Sequence, residues 1–127
     1  MLLKWLLIIG GVVEIFIGVL FIFIHLLVGS LGVSIEIPIF PQLAGCICIC
    51  FGYLLIYTTK DVKTYAIIPK MNILLRFIVQ PAAIYNMIVV PALIPLLIGT
   101  AIYDVCWAIA VLILLKKMGY FMASKVQ

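Results

Sequence analysis

The chain has 127 residues, of which 69% are hydrophobic and 9% are charged. Soluble domains contain roughly 45–50% apolar and about 25% charged residues, so this composition excludes an ordinary soluble globular domain. A membrane-spanning helix needs about 20 apolar residues, and four such helices use almost the whole length. We therefore predict an all-α, polytopic membrane protein: a single transmembrane domain, residues 1–127, built as a four-helix bundle.

The first two helices are predicted over residues 5–28 and 40–59. We expect the first to be retained as a span, because the apolar region of a signal peptide is usually about 7–15 residues long and no small-residue cleavage site follows. A connection rich in glycine and serine, ending in Pro38, separates the two helices and favours a turn.

The second half of the chain is predicted to hold a loop and two more helices. Residues 60–71 form the most polar stretch and are expected to be a basic loop. The apolar region that follows is about twice as long as one span requires, and Pro91 and Pro95 disfavour a continuous helix there. We therefore place the third helix at residues 72–90 and the fourth at 96–115.

The basic residues predict the orientation. The eight lysines and arginines lie before the first helix, around the middle loop and after the fourth helix, so the positive-inside rule places both termini and that loop in the cytoplasm, with the chain in the cell membrane. Those expected to lie at lipid headgroups are Lys60, Lys63, Lys70, Arg76, Lys116 and Lys117. Membrane topology explains the net charge of +4, and no nucleic-acid partner is predicted.

Several polar side chains are predicted to share one level near the bilayer midplane. Counting about 1.5 Å per residue from the basic residue that flanks each helix places them roughly 15–18 Å deep. This candidate polar layer consists of Glu14, Cys50, Tyr85, Asn86, Tyr103, Asp104 and Cys106. Intramembrane acids are costly and should face other helices or water, so Glu14 and Asp104 indicate either a packing role or a proton or cation site.

The cysteines permit a metal or redox interpretation without requiring one. At 100° per residue, Cys46 and Cys50 share a helix face while Cys48 points nearly opposite, so one helix cannot ligate a single ion with all three. Cys50 and Cys106 with a carboxylate could hold a soft ion, but buried free cysteines more often act as small apolar residues. We predict no metal and no cofactor, and the sequence contains no recognisable catalytic motif.

Glycine stripes predict close helix packing. Gly10 and Gly18 lie on one face of the first helix, and Gly45 and Gly52 lie on the second. Small residues let helices approach closely, and four short helices have little interior room. We therefore expect these stripes to meet partners, in a homo-oligomer or in a complex with other membrane subunits.

Three short segments resemble small four-helix integral membrane proteins of the DoxX-like type. They are residues 43–45 (Leu-Ala-Gly), 51–55 (Phe-Gly-Tyr-Leu-Leu) and 104–107 (Asp-Val-Cys-Trp). The resemblance implies the same four-helix membrane fold and assigns no activity.

The leading functional hypothesis is an accessory or scaffold subunit of a membrane complex or homo-oligomer, whose polar layer fixes helix packing. The alternative is a small proton- or cation-coupled transporter that uses Glu14 and Asp104. An enzyme or quinone-associated redox subunit is the third interpretation, which the cysteines permit.

Overall fold

The computed structural model describes residues 1–30, 32, 34 and 39–120. Its helices are α1 (Leu2–Ile22), α2 (Ile24–Gly29), α3 (Ile39–Thr58), α4 (Ile67–Val89) and α5 (Ile94–Lys117). Four helical segments, with α5 counted from Pro91, are long and apolar enough to cross a membrane, and the described residues contain no β-strand. The predicted all-α, four-helix membrane fold is confirmed.

Proline and glycine residues set the ends of the last two helices. Val90, which precedes Pro91, has an extended backbone (φ −130°, ψ 82°) and ends α4, as expected for a residue before proline. Pro91–Leu93 form one 3-10 turn, and Pro95 occupies the first turn of α5. At the far end of α5, Gly119 has a φ of +71°, and the Tyr120 amide donates to the Leu115 carbonyl at 2.9 Å, which completes a Schellman motif.

Two helix boundaries differ from the sequence-based prediction. The first segment is interrupted at Phe23, which separates α1 from the short α2. More importantly, α4 begins at Ile67, so the loop is shorter than the predicted residues 60–71. The prediction assigns Lys70 to the loop and treats Arg76 as a basic residue at the membrane surface. Both residues belong instead to an amphipathic helix, and Asn72 and Arg76 lie on its buried face.

Helices α1 and α3 are antiparallel and approach each other closely at two pairs of glycines. A Cβ atom on Gly11 would lie 2.6 Å from the Gly52 carbonyl oxygen, and one on Gly18 would lie 2.6 Å from the Gly45 carbonyl oxygen. These positions therefore cannot hold a side chain unless the helices move apart.

This packing corrects the expectation that the glycine stripes meet partner subunits. Gly18, Gly45 and Gly52 are covered by helices of the same chain, and Gly10 lies against the Trp107 indole of α5. The stripes are occupied within one molecule, so they do not provide a surface for a partner.

The apolar core occupies the half of the bundle nearest the chain's lysines, which we call the basic end. Leu3 and Leu7 of α1, Leu55 of α3, and Val111 and Leu115 of α5 are almost completely buried there. The lysines at this end include Lys4, Lys60, Lys63, Lys116 and Lys117. The opposite end contains α2 and the turn between α4 and α5, where the packing is looser and a cleft opens.

Candidate functional site

The candidate site is built around the buried face of α4. Pro69, Asn72, Ile73 and Arg76 are spaced three and four residues apart, so they lie on one side of the helix, and all are buried. The side chain of Arg76 is 5% exposed. A charged side chain buried to this degree in an apolar bundle needs partners of opposite charge.

Arg76 finds those partners on α1 and α5. Its Nη2 atom donates to Glu14 Oε2 at 2.5 Å, and its Nη1 atom donates to Asp104 Oδ1. Its Nε atom donates to Asn72 Oδ1 at 2.8 Å, and Asn72 Nδ2 in turn donates to Glu14 Oε2 at 3.3 Å. We call Glu14, Asn72, Arg76 and Asp104 the charge cluster. It connects α1, α4 and α5 through side chains.

Two aromatic side chains of α5 pack against the guanidinium group. The Trp107 ring lies 4.4 Å from Arg76 Cζ, and its indole N–H donates to the Leu6 carbonyl at 3.1 Å. The missing Cβ of Gly10 provides the space for that indole. The Tyr103 ring lies 5.4 Å from Arg76 Cζ. Trp107 therefore closes the cluster toward the basic end, where the apolar core begins.

The charges in the cluster are unbalanced. Two carboxyl groups face one guanidinium group, so the site carries one excess negative charge when both carboxyl groups are ionised. An excess charge in a low-dielectric interior is expensive, and binding a proton or a cation removes it. The cluster therefore has the composition of a site that holds one exchangeable positive charge.

Asp104 is the member best placed to hold that charge. Glu14 receives hydrogen bonds from both Arg76 and Asn72, whereas Asp104 receives one from Arg76 alone. The exposed fraction of the side chain is 20% for Asp104 and 9% for Glu14. Asp104 consequently has more free acceptor capacity and a more exposed side chain than Glu14.

The structure places the predicted polar layer in two groups. Glu14, Asp104 and Tyr103 come together around Arg76. Tyr85, Asn86, Cys50 and Cys106 are all exposed and lie outside the cluster. Asn86 donates to the Ala82 carbonyl of its own helix at 2.7 Å.

Asn86 lies outside the cluster because the residue from which its depth is counted, Arg76, is not at the membrane surface. The predicted depth of Asn86 depends on Arg76 lying at the membrane surface. Arg76 belongs to the cluster itself, so Asn86, ten residues later, lies about 15 Å further along α4. Asn72 occupies the level at which Asn86 was expected.

The prediction that Arg76 lies at lipid headgroups is also wrong. Its guanidinium group is buried and ion-paired, whereas Lys60, Lys63, Lys116 and Lys117 are exposed at the basic end and Lys70 is half-buried. Sequence reasoning missed Asn72 and Arg76 because basic residues beside a span usually set topology. Their four-residue spacing, with Pro69 and Ile73 on the same face, is the signal that could have revealed them.

In the part of the chain that the structure describes, no three His, Cys, Asp or Glu residues are grouped as metal ligands. The four cysteines are free thiols, and none is paired in a disulfide. Within the cluster, the positive charge that faces Glu14 and Asp104 is the guanidinium group of Arg76.

Comparison with known proteins found no family model, no curated protein and no solved structure that matches this chain.

Proposed function

We propose that this protein is a small ion-coupled membrane transporter in which a proton or a monovalent cation binds at Asp104. The observation that carries the proposal is the pairing of two carboxyl groups with one guanidinium group in the bundle interior. Acidic groups at this depth are costly, and carriers use such groups to bind and release coupling ions.

The cluster provides a physical link between ion binding and helix position. Arg76 holds Asp104 of α5 and Glu14 of α1 at the same time. A proton or cation on Asp104 removes the charge that attracts Arg76 and so weakens the tie between α4 and α5. An ion can shift a conformational equilibrium only if it binds two states with different affinity. A state in which the Arg76–Asp104 pair is broken leaves Asp104 free to bind the ion more tightly, which supplies such a difference.

The proposal is tested by ion-driven proton flux in proteoliposomes that contain a pH-sensitive dye. Inward gradients of Na⁺ or K⁺ are expected to change the internal pH, and Asp104→Asn should abolish this response. Asp61→Asn is the matched control, because it makes the same acid-to-amide change in the exposed α3–α4 loop. A response that persists when Asp104→Asn and Glu14→Gln are combined contradicts the proposal.

An accessory or scaffold subunit, in a homo-oligomer or a larger complex, is the second candidate. It is favoured by the same ion pairs, because one guanidinium that binds two helices is also an effective packing lock. Native mass spectrometry of the gently extracted protein separates the two functions. A stoichiometric foreign subunit would support the accessory role, and a particle made of this chain alone would count against a larger complex.

We further propose that the basic end faces the cytoplasm and that the protein resides in the cell membrane. The support is the distribution of exposed lysines at one end of the bundle, in agreement with the positive-inside rule. A membrane-impermeant amine reagent should modify Lys60 and Lys63 in inverted vesicles. Modification in right-side-out vesicles would reverse the orientation.

A further inference from the structure

A cleft separates α1 and α2 from α5 at the end of the bundle opposite the lysines. It comprises two overlapping cavities of about 310 and 480 Å³, which share Phe21, Ile24, Val28, Leu96 and Leu97. The walls of the smaller cavity are almost entirely apolar. The cleft is therefore suited to an apolar molecule or to the apolar part of one.

The inner end of this cleft comes within one helical turn of the charge cluster, whose own residues do not line it. Ile17 and Thr100 both line the smaller cavity. Ile17 follows Glu14 by three residues and Thr100 precedes Asp104 by four, so each lies one helical turn from an acid of the cluster. Helical side chains lean toward the N-terminus of their helix, which directs Asp104 toward Thr100 and away from the basic end.

The Tyr103 hydroxyl adds an unexplained polar group beside the cluster. Its oxygen is buried and makes no hydrogen bond of ordinary geometry with the described residues, although the Arg76 guanidinium group is close enough to interact with it. The Thr100 hydroxyl, by contrast, already donates within its own helix, to the carbonyls of Leu96 and Leu97. A buried hydroxyl group without a hydrogen bond of ordinary geometry is costly, and an N–H donor from a ligand would remove that cost.

We propose that the cleft binds an alkylammonium ion, with the apolar body between α1 and α5 and the NH₃⁺ group at Asp104. The proposal rests on the proposed ion-binding role of Asp104 and names the class of cation. Three observations favour this chemistry: the apolar walls of the cleft, the excess negative charge of the cluster one helical turn from its inner end, and the buried Tyr103 oxygen near Arg76. An ammonium group donates to both the carboxylate and the phenol oxygen, whereas a neutral alcohol with the same chain cannot balance the charge.

Hexylammonium, with hexan-1-ol as the uncharged control, tests this proposal on the purified protein. In a Trp5→Phe background, Trp107 is the remaining tryptophan, and it lies against Arg76 within the site. Trp5 is 57% exposed, so its replacement leaves the core intact. Hexylammonium should change the Trp107 fluorescence saturably, and hexan-1-ol should not at the same concentrations. Ligand-observed NMR provides an independent measure of binding.

Two variants, each with a matched control, test separately how the ammonium charge and the alkyl chain of the ligand contribute to binding. Asp104→Asn should weaken hexylammonium binding at least roughly 30-fold, because a buried charge loses its partner, while Asp61→Asn should leave it unchanged. Leu97→Phe fills the cleft without altering the cluster and should also weaken binding. Ile98→Phe is its control, since Ile98 is the next residue on α5 and is exposed.

Equal binding of hexan-1-ol, or hexylammonium binding that is insensitive to both Asp104→Asn and Leu97→Phe, would overturn the inference. Lack of saturable binding by both fluorescence and NMR would also overturn it. These results are separate from the flux experiment. If Na⁺- or K⁺-driven flux still depends on Asp104, the transporter proposal stands while the alkylammonium site fails.

Discussion

Arg76 determines the energetics of the site at the scale of single residues. It satisfies two carboxyl groups that would otherwise be buried without a cation. Replacing a buried ion pair by apolar groups can be nearly neutral, whereas removing one member leaves an uncompensated charge. The guanidinium is therefore the group whose loss the protein should tolerate least.

We expect Arg76→Met to lower the free energy of unfolding by about 3–5 kcal/mol, because Glu14 and Asp104 both lose their partner. Unfolding in mild detergent, followed by circular dichroism, measures the change. Lys116→Met removes an exposed cation at the end of α5 and should change stability by no more than about 0.5 kcal/mol.

A triple variant tests whether the loss of stability in Arg76→Met comes from uncompensated charge or from lost packing. Adding Glu14→Gln and Asp104→Asn to Arg76→Met leaves no net charge in the cluster and should restore most of the lost stability. If the triple variant is as unstable as Arg76→Met alone, the loss is due to packing and the electrostatic account of the cluster is wrong.

The loop between α3 and α4 contains an acid whose protonation is set by local hydrogen bonds. The Thr64 hydroxyl donates to Asp61 Oδ2 at 2.6 Å, and the Thr64 amide donates to Oδ1 at 3.2 Å. These bonds, the side-chain bond first, hold the pKa of Asp61 below its ordinary value of 3.8. Asp61 therefore stabilises the folded loop above its unfolded-state pKa, and this contribution is lost as the pH falls through the folded-state pKa.

A pH titration of the Asp61 carboxyl carbon by NMR should accordingly give a midpoint below 3.8. Thr64→Val removes the hydroxyl donor and should raise the midpoint toward 3.8. An Asp61 midpoint that is identical in the two proteins would show that the Thr64 hydroxyl does not control this carboxyl group.

The pair α1 and α3 is the most closely packed unit at the scale of secondary-structure elements. Gly18→Ala should cost about 1–3 kcal/mol of stability, because its Cβ would meet the Gly45 carbonyl and force the helices apart. Gly99→Ala is the matched control: nothing lies within 4 Å of a Cβ at that position of α5. The control should be neutral or slightly stabilising, since alanine favours a helix over glycine. Equal stability losses in the two variants would argue against the close α1–α3 contact.

The helices themselves could largely be predicted from the sequence, because long apolar runs and prolines depend on local chemistry. The start of α4 could not be predicted, since Lys70 continues the polar, basic composition of the preceding loop. The four-residue spacing of Asn72 and Arg76 could have indicated a buried helix face, but not that Glu14 and Asp104 lie opposite it. The two acids were identifiable as costly groups, but the cation between them came from a helix face that tertiary packing defines.

The whole molecule is asymmetric along the bundle. Toward the lysines, Trp107 and the apolar core close the charge cluster, and toward the other end an apolar cleft comes within one helical turn of it. Which end is packed could not be predicted from the sequence, because both halves of each helix are similarly apolar. In the transporter that we propose, an ion would therefore approach the cluster from the cleft side.

The most direct test of an exchangeable charge at Asp104 is infrared spectroscopy of the reconstituted protein during a pH titration in H₂O and D₂O. We predict a carbonyl band from a protonated carboxyl group that grows as the pH is lowered and shifts in D₂O. The band should be absent in Asp104→Asn, with the Asp61→Asn protein as the control for acids outside the bundle. A band that remains unchanged in Asp104→Asn would contradict the assignment of the exchangeable proton to this residue.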